Sequence, residues 1–360
     1  MAVKYLAGER LVGTAAERVA LTVINYTAIP QTSWKQLSKT TLGSAGDTID
    51  SGTITAKDNL MVLIHEIGSG SITGFLQFNS DTGSNYSERT SENGASDGTA
   101  TSQTKIRVDR GNTENFIVCK IRNNTSQEKL VISECAGLGS AGSGTAPERW
   151  ETVGKWANTS NQITNIQVQN ASGGSFDTGS EMVVLGCDDD EADSGTNFWE
   201  ELANPTDLAT AGDTLDSGTF TAKKYLMVDV HRIRSGAVNS RIQVNGDTGS
   251  NYAHRNMGAG NSYGSDATTT SSTSIHSHAL TSYDSFTTYL IVNKASKEKL
   301  MIIHEINRDN VDGNATPERT EAVAKWANTS DAITSINVIN TDTGNLDVGT
   351  SIRVWGGTAT

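Results

Sequence analysis

The sequence predicts an all-β chain: two tandem, duplicated jelly-roll or β-sandwich domains behind an extended N-terminal arm. Composition, an internal repeat and the apolar period within each repeat lead to that class. Of 360 residues, 35% are hydrophobic and 19% charged, and Gly, Ser, Thr, Asn and Asp take up the difference. Such a mixture suits many short strands joined by tight turns and suits long helices poorly.

The repeat is read from short phrases that recur in the same order. Gly46-Asp47-Thr48-Ile49-Asp50-Ser51-Gly52 returns as Gly212-Asp213-Thr214-Leu215-Asp216-Ser217-Gly218, an offset of 166. Leu60-Met61-Val62, His65 and Asp81-Thr82-Gly83-Ser84-Asn85-Tyr86 return at that same spacing. Further on, Glu128-Lys129-Leu130, Pro147-Glu148-Arg149 and Lys155-Trp156-Ala157-Asn158-Thr159-Ser160 return at an offset of 170. Four residues are therefore inserted between Arg255 and Glu298. The polar stretch from Gly258 to Ser274, opposite Ser91 to Thr104, is the expected place, and both stretches read as exposed loops.

Inside a repeat, Asp47 to Thr55 alternates, whereas Leu60 to Ile67 is nearly all apolar, as in a strand covered on both faces. Shorter candidates follow at Ile72 to Phe78, Asn115 to Arg122, Lys129 to Glu134, Trp150 to Trp156, Ile163 to Gln169 and Glu181 to Gly186. About eight short strands with turns between them read as a sandwich or jelly roll. The expected division is an arm at 1–32, a first jelly roll at 33–187, an acidic linker at 188–197 and a second jelly roll at 198–360. The acids at 188–191 read as solvation of a joint.

Charge and pattern exclude some roles. With 28 basic against 41 acidic residues the formal net charge is −13, and the chain shows no basic cluster to attract a phosphate backbone. Direct nucleic-acid binding is not expected. No apolar stretch reaches the roughly 18 residues of a membrane span, and the first 18 residues lack the apolar core of a secretory signal. Cys119, Cys135 and Cys187 form neither a framework nor a CxxC, and read as free thiols.

Lys4-Tyr5-Leu6-Ala7-Gly8-Glu9-Arg10-Leu11-Val12-Gly13-Thr14-Ala15-Ala16-Glu17-Arg18 resembles the opening of virion-associated proteins from marine bacterial and archaeal viruses. The phrase Ala146-Pro147-Glu148-Arg149, leading into Gly154-Lys155-Trp156-Ala157-Asn158-Thr159-Ser160, resembles jelly-roll virion proteins of the same viruses. So do the closing phrases Phe176 to Gly186 and Leu346 to Gly356. The resemblance implies a structural component of a virion, as capsid coat, decoration, spike or tail protein. Localisation in the particle is then expected, with other virion proteins and host surface glycans as partners, and the duplication adds copies of the chain itself, in a trimeric or other cyclic oligomer whose paired domains would form a pseudo-sixfold ring. It carries no catalytic residues, and no cofactor is expected.

Several residues invite other readings. Asn79, Asp81, Gly83 and Asn85, repeated as Asn245, Asp247, Gly249 and Asn251, place oxygens as calcium loops do. The bidentate acid of a strong site is absent, and Asx turns explain the same residues, so the turn is preferred. His276 and His278 form an HxH pair as in cupin metal ligation, yet the first repeat has no counterpart, and a metal is not expected. His65 and His231, matched between repeats, read as satisfied or edge histidines. Glu148 and Glu318 lack the opposed second carboxylate of a glycosidase. Val19, Leu21 and Val23 share one face of a candidate strand and would serve the arm in assembly. The function expected is thus non-enzymatic virion assembly. An alternative is an extracellular carbohydrate-binding module using loop aromatics such as Tyr252 and Tyr263. A cupin-like enzyme built on His276 and His278 is a third.

Overall fold

The computed structural model describes residues 34–189, 197–203, 206–236, 238–257, 266–276, 284–307 and 317–358. Every regular element among the described residues is a β-strand. The first half holds β1 (Lys35–Thr41), β2 (Thr48–Asp50), β3 (Asn59–Ile72), β4 (Gly74–Phe78), β5 (Tyr86–Glu92) and β6 (Gly98–Gln103). It continues with β7 (Ile106–Arg107), β8 (Asn112–Arg122), β9 (Lys129–Gly137), β10 (Glu148–Trp156), β11 (Ile166–Asn170) and β12 (Glu181–Cys187). These form a large antiparallel sheet ordered β1-β12-β3-β8-β9-β10-β5-β6 and a small one ordered β2-β11-β4-β7. The first four strands of the large sheet and the four of the small sheet are the eight strands of a jelly roll. Two inserted hairpins, β5–β6 and β9–β10, widen the large sheet beyond β8.

The second half holds β13 (Glu200–Glu201), β14 (Thr206–Asp207), β15 (Thr214–Asp216), β16 (Tyr225–Arg232), β17 (Arg234–Ser235), β18 (Ser240–Val244), β19 (Tyr252–Met257) and β20 (Ala267–Ser272). After these come β21 (Ile275–His276), β22 (Ser285–Val292), β23 (Lys299–Asn307), β24 (Glu318–Trp326), β25 (Ile336–Asn340), β26 (Asn345–Leu346) and β27 (Ser351–Gly357). Its sheets run β13-β27-β16-β22-β23-β24-β19-β20, with β14 also on β27, and β15-β25-β18-β21; β17 and β26 form a short extra pair. Strand for strand this is the order of the first half, with β13 and β14 sharing the place of β1.

Register locates the inserted residues. Glu88 pairs with Ala100, and His254 with Thr269, so the offset grows from 166 to 169 within the β19–β20 hairpin. The fourth residue enters between β21 and β22, since Ile275 lies 169 beyond Ile106, and Phe286 lies 170 beyond Phe116. The stretches expected as exposed loops are only partly so, because β6 and β20 are edge strands. Their Ser, Thr and Gly face water on nearly every side, which removes the apolar alternation by which a strand is read. Strand β1, Lys-Gln-Leu-Ser-Lys-Thr-Thr, is mostly half-buried but carries Leu37 as its one apolar residue and so shows no alternation either, while Asp47 to Thr55 yields only the three residues of β2.

The long apolar run behaves as expected. From β3, Leu60, Val62 and Ile64 point into the sandwich beside Leu76 and Val168, while Met61 and Leu63 point outward into a separate cluster shared with the second half. That cluster lies between the two large sheets, so the molecule is stacked in four layers: small, large, large, small.

The repeated phrases are packing instructions. Trp156 is buried, flanked in register by Tyr86 and Lys129; Trp326 is flanked by Tyr252 and Lys299. Beside each indole an ammonium is capped by carbonyls. Lys129 Nζ donates to Gln127 O and Asn158 O at 2.8 Å, and Lys299 Nζ to Lys297 O at 2.8 Å and Asn328 O at 2.7 Å. A buried cation needs such partners, which is why Lys129 and Asn158 recur together. Of the acidic joint, Asp188 accepts from Lys57 Nζ at 2.8 Å, and Asp189 is bidentate with Arg122. These two acids hold to the first sandwich, and by Phe198 the chain is already in the shared cluster. Residues 1–33, including Val19, Leu21 and Val23, lie outside the described residues.

Candidate functional site

Asp81 and Asp247 sit where the sequence placed them, and their carboxylates are taken up by the turn. Asp81 Oδ1 accepts from Gly83 N at 2.8 Å, and Oδ2 from Asn85 Nδ2 at 2.9 Å and Trp156 Nε1 at 2.7 Å. Asp247 makes the same three contacts with Gly249, Asn251 and Trp326. Burial pushes the Asp81 carboxyl upward, but the donors from Trp156, Asn85 and Gly83 outweigh it and hold it below the ordinary range. The motif is a latch that fastens a hairpin turn to the core tryptophan. Tyr252, considered above as a loop aromatic, is fully buried, and its hydroxyl donates to Asp247 O at 2.9 Å. It is therefore unavailable to a glycan, while Tyr263 lies outside the described residues.

His276 ends β21 and meets a histidine that the sequence had not paired with it. The rings of His254 and His276 stand edge to face, 6.1 Å apart between centroids. Burial, with His276 and Arg241 nearby, pushes His254 down to about 3. His278 lies outside the described residues. Among the described residues no group of three His, Cys, Asp or Glu could hold a metal ion. Of the matched histidines, His65 is buried with Nε2 2.8 Å from Glu114 Oε1, whereas His231 is exposed.

A buried acid pair was not singled out from the sequence. Glu66 and Asp109 meet inside the first sandwich, where Asn115 Nδ2 donates to Glu66 Oε2 at 2.8 Å and to Asp109 Oδ2 at 3.3 Å. Gly74 N donates to Asp109 Oδ2 at 2.6 Å, and a Cβ at residue 74 would collide with both carboxyls, so glycine is required there. Burial first, then the neighbouring Asp109, drives Glu66 far above the carboxylate range; burial lifts Asp109 to about 6. In the second half Arg232 replaces Glu66 and Glu305 replaces Cys135. Arg232 Nη1 lies 3.2 Å from Glu305 Oε2, and Nη2 donates to Tyr289 OH at 2.9 Å. The visible signal was the reversal of charge at one position of an otherwise matched block.

The two halves meet across the outer faces of their large sheets. On the first half Leu63, Phe116, Val118 and Ala136 are buried against Tyr225, Leu300, Ile302 and Val323 of the second. Polar anchors surround them. Arg149 is bidentate on Asp266, with both contacts at 3.0 Å, and Glu181 takes Tyr225 OH at 2.9 Å and Lys224 Nζ at 2.7 Å. Lys325 Nζ donates to Leu138 O and Ser140 O, and Gly142 N to Glu298 Oε1 at 2.6 Å. Near the middle His304 Nε2 stands 3.2 Å from Glu134 Oε1. These two residues occupy the same position in their repeats and meet each other across the interface.

No family model and no curated protein matches this chain. Among solved structures, it is similar at 8% identity to domains LG4-5 of the mouse laminin alpha1 chain, over 90% of this chain and 91% of that one, with a TM-score of 0.17. Human GIVD cytosolic phospholipase A2 aligns at 9% identity over 76% of this chain and 33% of that one, with a TM-score of 0.13. Likenesses this slight carry no argument about function.

Proposed function

We propose that this chain is a non-enzymatic structural building block of a virus particle that assembles with copies of itself. The observation that carries the reading is the architecture: two jelly rolls joined across their large sheets by an apolar core and buried ion pairs. Jelly rolls serve as capsid and lectin domains and as cupins, so fold alone leaves several uses open. Virion-like phrases at the N-terminus and at the end of each repeat favour the first use. The sequence-selected acids Asp81 and Asp247 are spent on latching turns, which removes one of the reasons to seek an ion site. The arm, with Val19, Leu21 and Val23 on one face, adds a strand to a neighbouring subunit in this proposal. Three two-domain chains would give a ring of six similar units.

Deleting residues 1–27 tests this reading. The truncated chain should keep its β-type circular dichroism spectrum and thermal transition while losing the oligomer or its incorporation into particles. Normal assembly of the truncated chain would show that the arm packs only on its own domains.

A further inference from the structure

The contact between the two halves is lopsided. On one side of Glu134 and His304, toward Ala136 and Ile302, the sheets close on each other; on the other side, toward Ile132 and Ile306, they do not. Leu130, Ile132 and Val153 are 55%, 53% and 50% exposed, yet their counterparts Leu300, Ile302 and Val323 are at most 4% exposed within the interface. The second half shows the converse. Phe286 and Ile306 are 43% and 50% exposed, and their counterparts Phe116 and Ala136 are buried against the second half. Register makes these equivalences firm, since Ile132 pairs with Val153 as Ile302 does with Val323, and Phe116 with Ala136 as Phe286 does with Ile306.

Each half thus displays one surface of a contact that the chain has already made once. We infer that a second copy of this chain occupies them, the Leu130–Ile132–Val153 patch of one copy packing on the Phe286–Ile306 patch of the next. Five large apolar side chains exposed on flat sheet faces are what an interaction site presents. Charge supports a partner of this kind. Where the internal contact has Leu290 and Leu63, the counterparts are Lys120, which is exposed, and Asp229, which is half-buried, two residues of opposite sign. Substituting an ion pair for an apolar pair suits a contact that forms between molecules rather than within one. Because the two patches differ, the association is head to tail; it closes into a ring or grows as a filament according to its rotation. This inference rests on the reading of the chain as a self-assembling block.

Two full-length double variants test it: I132E/V153E, which spoils the first patch, and F286E/I306E, which spoils the second. All four positions are exposed, and each variant is first matched to the parent by circular dichroism and thermal transition. The parent is expected to assemble, each variant alone to sediment as a monomer, and the two mixed to give a 1:1 dimer and nothing larger. That complementation is specific to head-to-tail pairing. Dimers formed by F286E/I306E alone would mean that the first patch pairs with itself and would overturn the inference. Assembly of I132E/V153E at parental strength would overturn it while leaving self-assembly intact. A parent chain that stays monomeric would overturn it as well, and would also remove the assembly reading beneath it.

Discussion

Replacing Glu66 by Gln should stabilise the first sandwich at high pH and leave it nearly unchanged at low pH. Glu66 and Asp109 are sealed in the core with both carboxyls held above their ordinary range. A carboxyl raised in the folded state contributes its full stability below its unfolded value and loses it as pH rises through the folded one. For Asp109 the move from 3.8 to about 6 spans roughly two units, so about 3 kcal/mol disappears between about pH 4 and pH 6. Glu66 extends the decline to higher pH. In E66Q the amide oxygen accepts from Asn115 and the amide nitrogen donates to Asp109, so one buried charge goes and the other gains a donor. E66Q should therefore unfold at a higher temperature than the parent at pH 8, with little change at pH 4. Differential scanning calorimetry at pH 4, 6 and 8, with hydrogen exchange of the β3 amides to assign the transition, measures it. An equal shift at all three values, or a loss at pH 8, would refute the account of the pair.

Other consequences are as direct. In the second sandwich R232M removes the buried Arg232–Glu305 ion pair, which should cost about 3–5 kcal/mol near neutral pH; a loss under 1 kcal/mol in urea unfolding would contradict the ion pair. D81A or D247A should each cost about 1–3 kcal/mol by releasing Trp156 or Trp326 and two turn donors. Because the Asp81 carboxyl is held low, its contribution is present above its unfolded value near pH 4 and is lost as pH falls through the lower folded value, so the cost of D81A should shrink as the solution is acidified. Burial lifts the Cys119 thiol to about 12 and raises Cys135 well above the ordinary thiol range, whereas Cys187 is only half-buried. A thiol reagent at pH 8 should therefore titrate Cys187 quickly and the other two only on unfolding.

The sequence exposed the repeat and the sandwich core because those depend on apolar period and on phrases that pack identically twice. Leu60 to Ile67 reads as doubly covered because both faces of β3 are indeed buried. Edge strands β6 and β20 were hidden, since their pairing rests on backbone hydrogen bonds that Ser and Thr do not advertise. Asp81 and Asp247 have the spacing of turn residues, and the geometry adds the indole that each one holds. The interface was illegible for another reason. Leu130 and Leu300 are the same residue in the same phrase, one exposed and one buried, so only the docking of the halves separates their roles.

The most direct test of the central claim is sedimentation velocity of the full-length chain from low to high micromolar concentration at physiological salt. Self-assembly through interfaces above about 1,000 Å² predicts a discrete oligomer or a growing series that persists on dilution. A single 38.2 kDa species across the whole range would contradict the account.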